Sequence, residues 1–263
     1  MEILVCARRV PDTSENELEL NSAGNDIERD ELVYSVNEPD NYAVEEALQI
    51  VERTGGSVTV ATVGGDDDEE ILRREMAMGA NHGVLISDEA FDGSDGRGIA
   101  RILQALVPKG QYDLILTGVQ AEDGGAQVGG MLAAMLDYPF ASLVNSIEVL
   151  DGGKLKISRE IEGGNKEISE IDLPCVLSIQ TGINEPRYVG MRGIRQVASV
   201  NIPTFGASEL NLDAGTVGEA AAKVRRVDYF IPPLGAGAEM LEGSREEIAA
   251  KVIEFMKAKG GLN

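Results

Sequence analysis

The sequence predicts an α/β fold built on a doubly wound, mostly parallel sheet, on three observations. Four short apolar runs alternate with helical patterns through about the first 130 residues, which is the rhythm of βαβ units. The last of these runs feeds a glycine-rich loop, residues 117–131, TGVQAEDGGAQVGGM, and then the apolar helical segment MLAAML. From residue 143 the rhythm changes to alternating strands separated by Gly-Gly turns. Together these describe a Rossmann-like sheet with an added β-hairpin or meander and a C-terminal extension. Ligands of such sheets sit at the carboxyl ends of the strands, near the point where the winding reverses.

The elements follow in order. Residues 3–7 read as the first strand, left by Arg8, Arg9, Val10 and Pro11. Residues 12–34 are polar and acidic, and form a loop or a hairpin with ELELN and DIERDELVYS as its arms. Asn37-Glu-Pro-Asp40 opens a helix. Asn37 or Asp40 can cap it, Pro39 suits its first turn, and Glu45 and Glu46 suit its N-terminal half. Ala43, Ala47, Leu48 and Val51 make its apolar stripe, and Gly55-Gly56 ends it. Residues 57–63 are the second strand. The acidic run from Asp66 to Glu70 could hold a metal, but a solvated, dipole-matched helix start is the favoured reading. That helix stops at Gly79. Residues 84–86 are the third strand, and Ser94 or Asp95 caps a helix through Leu106. Leu114, Ile115 and Leu116 form the fourth strand.

The loop that follows carries Gly124, Gly125, Gly129 and Gly130. Glycines admit close backbone approach, and a helix N-terminus offers free N–H groups and partial positive charge to phosphate. The loop is neither GxGxxG nor a GK[ST] loop. A turn that needs glycine only for its bend fits the spacing equally well. Topology brings the end of the first strand, the start of the first helix and this loop to one edge, with Val63 close by.

Beyond residue 143, three strands should form a meander, and residues 173–180 a further apolar strand able to rejoin the main sheet. Residues 183–213 read as irregular. Arg187, Arg192, Arg195, Arg225 and Arg226 stand out in an acidic chain, as binding residues or as solubilising surface. Ser244 to Glu247 is a capping box for a last helix with Ile248, Val252, Ile253 and Met256 on one stripe. That stripe covers this chain's own core or reaches a neighbour.

Composition narrows the function. The chain has 263 residues and a net charge of −22, which argues against a nucleic-acid partner. It has no run long enough to span a membrane and no signal-peptide pattern at its start. Cys6 and Cys175 both lie in apolar runs and read as buried thiols in a reducing cytoplasm. His82 is the single histidine and should lie at the surface, so a His-based triad or metal site is not expected.

Several stretches then converge. ILVCARRVPD, NEPDNYAVEEAL, MAMGANHGV, DLILTGVQAEDGGAQVG, REIEGG, LPCVLSIQTGINEPRY and MRGIRQV together resemble the β subunit of electron transfer flavoprotein. They cover residues 3 to about 197, with VRR and IP extending the likeness weakly to about 232. The resemblance implies an electron carrier rather than an enzyme, acting in the cytoplasm as a heterodimer with an α subunit. That α subunit holds most of the site for the electron-carrying FAD, and the pair serves a flavin-dependent dehydrogenase. It implies that residues 1–183 form the nucleotide-binding domain and residues 184–263 a recognition loop and an extension packed on the α subunit. It further implies an AMP pocket made by Cys6, Ala7, Asn37, Glu38, Pro39, Asp40, Val63, Asp123, Gly124, Gly125, Ala126, Gln127, Val128, Gly129, Gly130 and Met131. In electron-bifurcating members the same pocket holds a second FAD. Many members read Asn-Pro where this chain has Asn37-Glu38-Pro39. That spelling favours AMP, while VPDT and AQVG also occur in bifurcating members. The family's docking loop maps to Tyr188, Val189, Gly190, Met191, Arg192, Gly193, Ile194 and Arg195, with Met191 as the anchor. Two other classes compete. A nucleotide-binding regulatory module leaves residues 183–263 unexplained, and a hydrolase using Glu122 or Asp123 with a metal lacks a base and a metal cluster.

Overall fold

A computed structural model describes residues 1–121, 124–233, 235 and 237–261. The chain packs as two compact units, Met1–Leu18 with Arg29–Val227, and Glu19–Glu28 with Asp228–Asn263.

The first unit is organised by β1 (Glu2–Cys6). Its residues alternate between the two faces of the sheet, as the pleat requires. Ile3 and Val5 enter one core with residues of α1 (Glu38–Thr54) and α2 (Glu69–Met78). Leu4 and Cys6 enter the other with α3 (Gly96–Leu106) and α4 (Val128–Leu136). Both faces are covered, so the parallel strands read as continuous apolar runs. A short ribbon, β2 (Arg9–Pro11) with β3 (Tyr34–Val36), follows β1.

The main sheet has nine strands in the order β11-β5-β4-β1-β6-β10-β7-β8-β9. Here β4 is Ser57–Val63, β5 His82–Ile86, β6 Leu114–Gly118, β7 Phe140–Leu150, β8 Lys154–Ile161, β9 Asn165–Asp172, β10 Cys175–Ile179 and β11 Thr204–Phe205. β1 pairs in parallel with β4 and with β6, Ile3 lying opposite both Val58 and Leu114. The chain winds outward from β1 through β4 to β5 and then returns to β6. The winding therefore reverses between β1 and β6, and a crevice opens at their carboxyl ends. β10 does rejoin the main sheet, between β6 and β7. β7, β8 and β9 form the antiparallel meander.

Three local expectations change. The arms expected within residues 12–34 meet only around one antiparallel bridge, Leu20 with Ile27, where the Asn21 and Glu28 N–H groups donate to the Asp26 and Glu19 carbonyls, each at 2.9 Å. The ladder lies at their outer flanks, in β2 and β3, where Val10 and Val36 are buried. Residues 183–213 are not wholly irregular, since they hold α5 (Met191–Val197) and β11, which adds to β5. Asn37 occupies the N-cap position of α1 without making a side-chain cap, and Asp40 does not cap either. Both side chains are used across the crevice instead, as described below. At α3 it is Asp95 that caps, its carboxylate accepting from the Gly98 N–H at 2.9 Å. The acidic run begins as a single 3-10 turn, with Asp68 accepting from the Gly65 N–H, and leads into α2.

The second unit is sparse. It holds one bridge, Leu20 to Ile27, a hydrogen bond from the Tyr229 N–H to the Gly24 carbonyl, and α7 (Arg245–Ala258). Ser244 and Glu247 make the expected capping box, and no residue of α7 is buried.

Candidate functional site

The strand ends at the reversal point are held apart and in register by α1. Asn37 Nδ2 donates to the Gln120 carbonyl at 2.9 Å. Asp40 accepts from the Arg8 N–H at 2.9 Å and from the Gly118 N–H at 2.8 Å, one on each carboxylate oxygen. One side chain thus ties the end of β1 to the end of β6. A Cβ on Gly118 would overlap that carboxylate. Burial pushes the Asp40 carboxyl up to about 7, against the hydrogen bonds from Gly118, Asn37 and Arg8 that favour its charge. Burial, then the neighbouring Asp40, pushes the Cys6 thiol up to about 12, so Cys6 is no nucleophile at neutral pH.

Above this edge lies a cavity of about 1080 Å³. Its wall includes Cys6, Ala7, Asp40, Val63, Gly124, Gly125, Gln127, Val128 and Gly129 from the expected set. Asn37 and Pro39 are buried behind the wall and support it, and Glu38 is exposed. Ala126 is exposed, Gly130 lies under the Phe140 ring, and Met131 packs into the second core. Asp123 lies outside the described residues.

The glycines divide by role. The first intrahelical bond of α4 is donated by Met131 to Gln127, so the N–H groups of Val128, Gly129 and Gly130 have no carbonyl within the helix. Among the described residues a Cβ on Gly124 would meet only Ala121, at 4.0 Å. A Cβ on Gly129 would overlap the Ser178 hydroxyl and lie 2.8 Å from Thr117 Oγ1. Gly129 is therefore needed to seat the start of α4 on β6 and β10, where Thr117 and Ser178 share a buried hydrogen bond of 2.9 Å. Gly129 thus serves helix–sheet packing, while Gly124 leaves its backbone uncovered by the described residues.

Four further wall features were not assigned to the pocket by the sequence. The start of α3 contributes Ser94, Asp95 and Gly96. Asp95 also accepts from the N–H groups of Lys223 and Val224, at 2.6 and 3.1 Å. Burial raises this carboxyl, but the N–H groups of Gly98, Lys223 and Val224 outweigh it and hold it low. The clamp sets Arg225 and Arg226 on the cavity wall, where Arg8 also lies. Cationic side chains, open glycine backbone and a helix N-terminus form a donor set for an anion in a strongly acidic chain. The two arginines were noticed in sequence, but nothing local to them tells that Asp95, 128 residues from Lys223, fixes their position.

The expected docking residues lie elsewhere in this unit. Tyr188, Met191 and Ile194 are 91, 65 and 45% exposed, and Arg192 and Arg195 are exposed beside them. Val189 packs partly against the first core, Gly190 is the N-cap of α5, and Gly193 lies against the Ala77 carbonyl of α2.

Residues 25–210 match the family model of the electron transfer flavoprotein domain. The β subunit of electron transfer flavoprotein from Methylophilus methylotrophus is 37% identical over 260 residues, covering 97% of this chain and 98% of that one. The chain belongs to the electron transfer flavoprotein β-subunit family. The corresponding subunit of Bacillus subtilis is 31% identical over 261 residues, covering 98% of both chains. Subunit CarD of the caffeyl-CoA reductase-Etf complex of Acetobacterium woodii is 35% identical over 263 residues, covering 98% of this chain and 99% of that one. That membership places the chain in electron transfer. Among the described residues no helix is long and apolar enough to cross a membrane.

Proposed function

We propose that this chain is the β subunit of a heterodimer, that its cavity holds AMP, and that it helps enclose the FAD carried mainly by an α subunit. The observation that carries the nucleotide reading is the cavity at the winding reversal, bounded by the backbone of Gly124, by Gly125 against the Gln127 side chain, and by the first turn of α4. A nucleotide phosphate there would meet orphan N–H groups and the arginines of the wall. Cys6, Ala7 and Val63 offer an apolar bed suited to adenine. The flavin supplies the redox chemistry. This chain's own residues bind, orient and exclude water. Residues 188–195 dock onto a flavin-dependent dehydrogenase through Met191, and the extension, with its exposed Phe230, Ile231 and Phe255, packs on the α subunit. The complex works in the cytoplasm.

A second FAD in place of AMP is favoured by one observation. The cavity, at about 1080 Å³, sits at the upper end of ordinary ligand pockets, roughly 300–1,000 Å³. Denaturing the purified heterodimer and counting released nucleotides decides between them. One FAD with one AMP supports the first reading, and two FAD without AMP replaces it. A complex with a single FAD and no further nucleotide overturns the pocket.

A further inference from the structure

Residues 184–187 are fastened to α1 by side chains. Arg187 Nε and Nη2 donate to the two carboxylate oxygens of Glu45 at 2.8 and 3.0 Å, and Nη1 donates to Glu52 at 2.7 Å. The Arg187 N–H donates to Glu45 as well, at 3.1 Å. Asn184 Nδ2 reaches the Tyr42 carbonyl and Glu46, both at 3.1 Å. Glu45 is only 3% exposed, so water cannot replace the guanidinium there. The two-pronged contact is a geometry that lysine cannot reproduce.

Directly after this clamp the chain turns outward, to Tyr188, Met191 and Ile194. α5 has seven residues, too few to be stable by itself. Its packing is against α2, where Gly193 meets the Ala77 carbonyl. The clamp and that contact hold the segment from two sides.

We propose that Arg187 is a positioning residue for partner docking: its fork on Glu45 and Glu52 holds residues 188–197 in the docking shape before a dehydrogenase arrives. The inference rests on the docking role proposed above for residues 188–195. A segment that is competent only part of the time binds with its affinity reduced by that fraction. A preformed one avoids the cost of ordering at the interface.

The test uses the heterodimer with Arg187→Lys, Arg187→Met and the double variant Arg187→Met/Glu45→Leu. The double variant removes the buried unpaired charge that could unfold α1. Hydrogen exchange of residues 188–197 is followed beside reduction by the donor dehydrogenase. The expected result is faster exchange in all three. The KM for the carrier should rise about tenfold with kcat within about twofold, because only the competent fraction changes. Reduction by dithionite, which needs no docking, should be unchanged. Unaltered exchange in the double variant overturns the proposal. Met191→Ala, run alongside, separates the two ideas. If it raises KM while the Arg187 variants do not, Arg187 is not a positioning residue. If neither raises KM, the docking role of the segment falls, and the proposal with it.

Discussion

Gly129 shows how one residue type serves two ends within six positions. At Gly124 the missing side chain leaves backbone open, and at Gly129 it lets α4 touch the sheet. Gly129→Val should therefore act first through packing. Overfilling a tight contact costs about 1–3 kcal/mol. The start of α4 then lifts from Thr117 and Ser178, and the nucleotide proposed for the cavity should be lost with it. Gly124→Ala, with no described residue closer than 4.0 Å, should leave thermal stability unchanged. Nucleotide content by mass spectrometry, read beside melting temperature, tests the distinction. Loss of nucleotide from Gly129→Val without any loss of stability would refute the packing role. The glycine pattern was legible in sequence, and so was its place after a strand. Which glycine packs against the sheet was not, because the atoms that decide it, on Ser178 and Thr117, come from other elements.

Elements were read best where the apolar period and a stop signal agreed. α1 and α3, with strong apolar stripes and clear stops at Gly55 and near Gly110, match their expected spans closely. α5 escaped notice because seven residues with a central glycine carry no clear helical period. It packs against α2, and the Arg187 clamp just before it ends on Glu45 and Glu52 of α1, all distant in sequence. The same element carries the docking prediction. Met191→Ala should raise the KM for the dehydrogenase, with a loss of affinity of about thirtyfold if the side chain is a hot spot worth about 2 kcal/mol. Nucleotide content and melting temperature should stay at wild-type values, since the side chain is 65% exposed in this chain. A clear fall in melting temperature would show instead that Met191 supports the fold.

At the scale of the whole molecule, charge governs how stability follows pH. The net charge of −22 already disfavours compactness as pH rises. Two buried carboxyls act in the same direction. Glu75 is fully buried on α2, both its oxygens lack a partner among the described residues, and burial pushes it up to about 8. Asp40 is raised to about 7 by burial. For each, the folded state holds its proton more tightly than the unfolded one. Their contribution is complete below the ordinary carboxyl range and is lost as pH climbs through the folded values. Glu45 and Asp95, held low by their hydrogen bonds, act oppositely and lose their contribution in acid. Stability should therefore peak on the acid side of neutrality. Glu75→Gln should match wild type near pH 5 and exceed it near pH 9 by on the order of a few kcal/mol, since each unit of raised pKa corresponds to about 1.4 kcal/mol. Denaturant melts at the two pH values check this, and a difference that does not grow with pH would rule it out.

The insertion of β10 between β6 and β7 also sets an order of events as the chain leaves the ribosome. β7, β8 and β9 are consecutive antiparallel partners and can zip together through local contacts as soon as they emerge. β6 has by then found β1, but its other edge stays bare until residue 179 has been made. The meander, already formed, has to stand aside and then accept β10 on the flank of β7. For the time needed to synthesise about sixty residues, at roughly 5–20 residues per second, an apolar strand edge is open to strangers. The strand buried along its whole length is the last of the central five to arrive, so a nascent chain stalled before residue 175 leaves one edge of β6 without its partner.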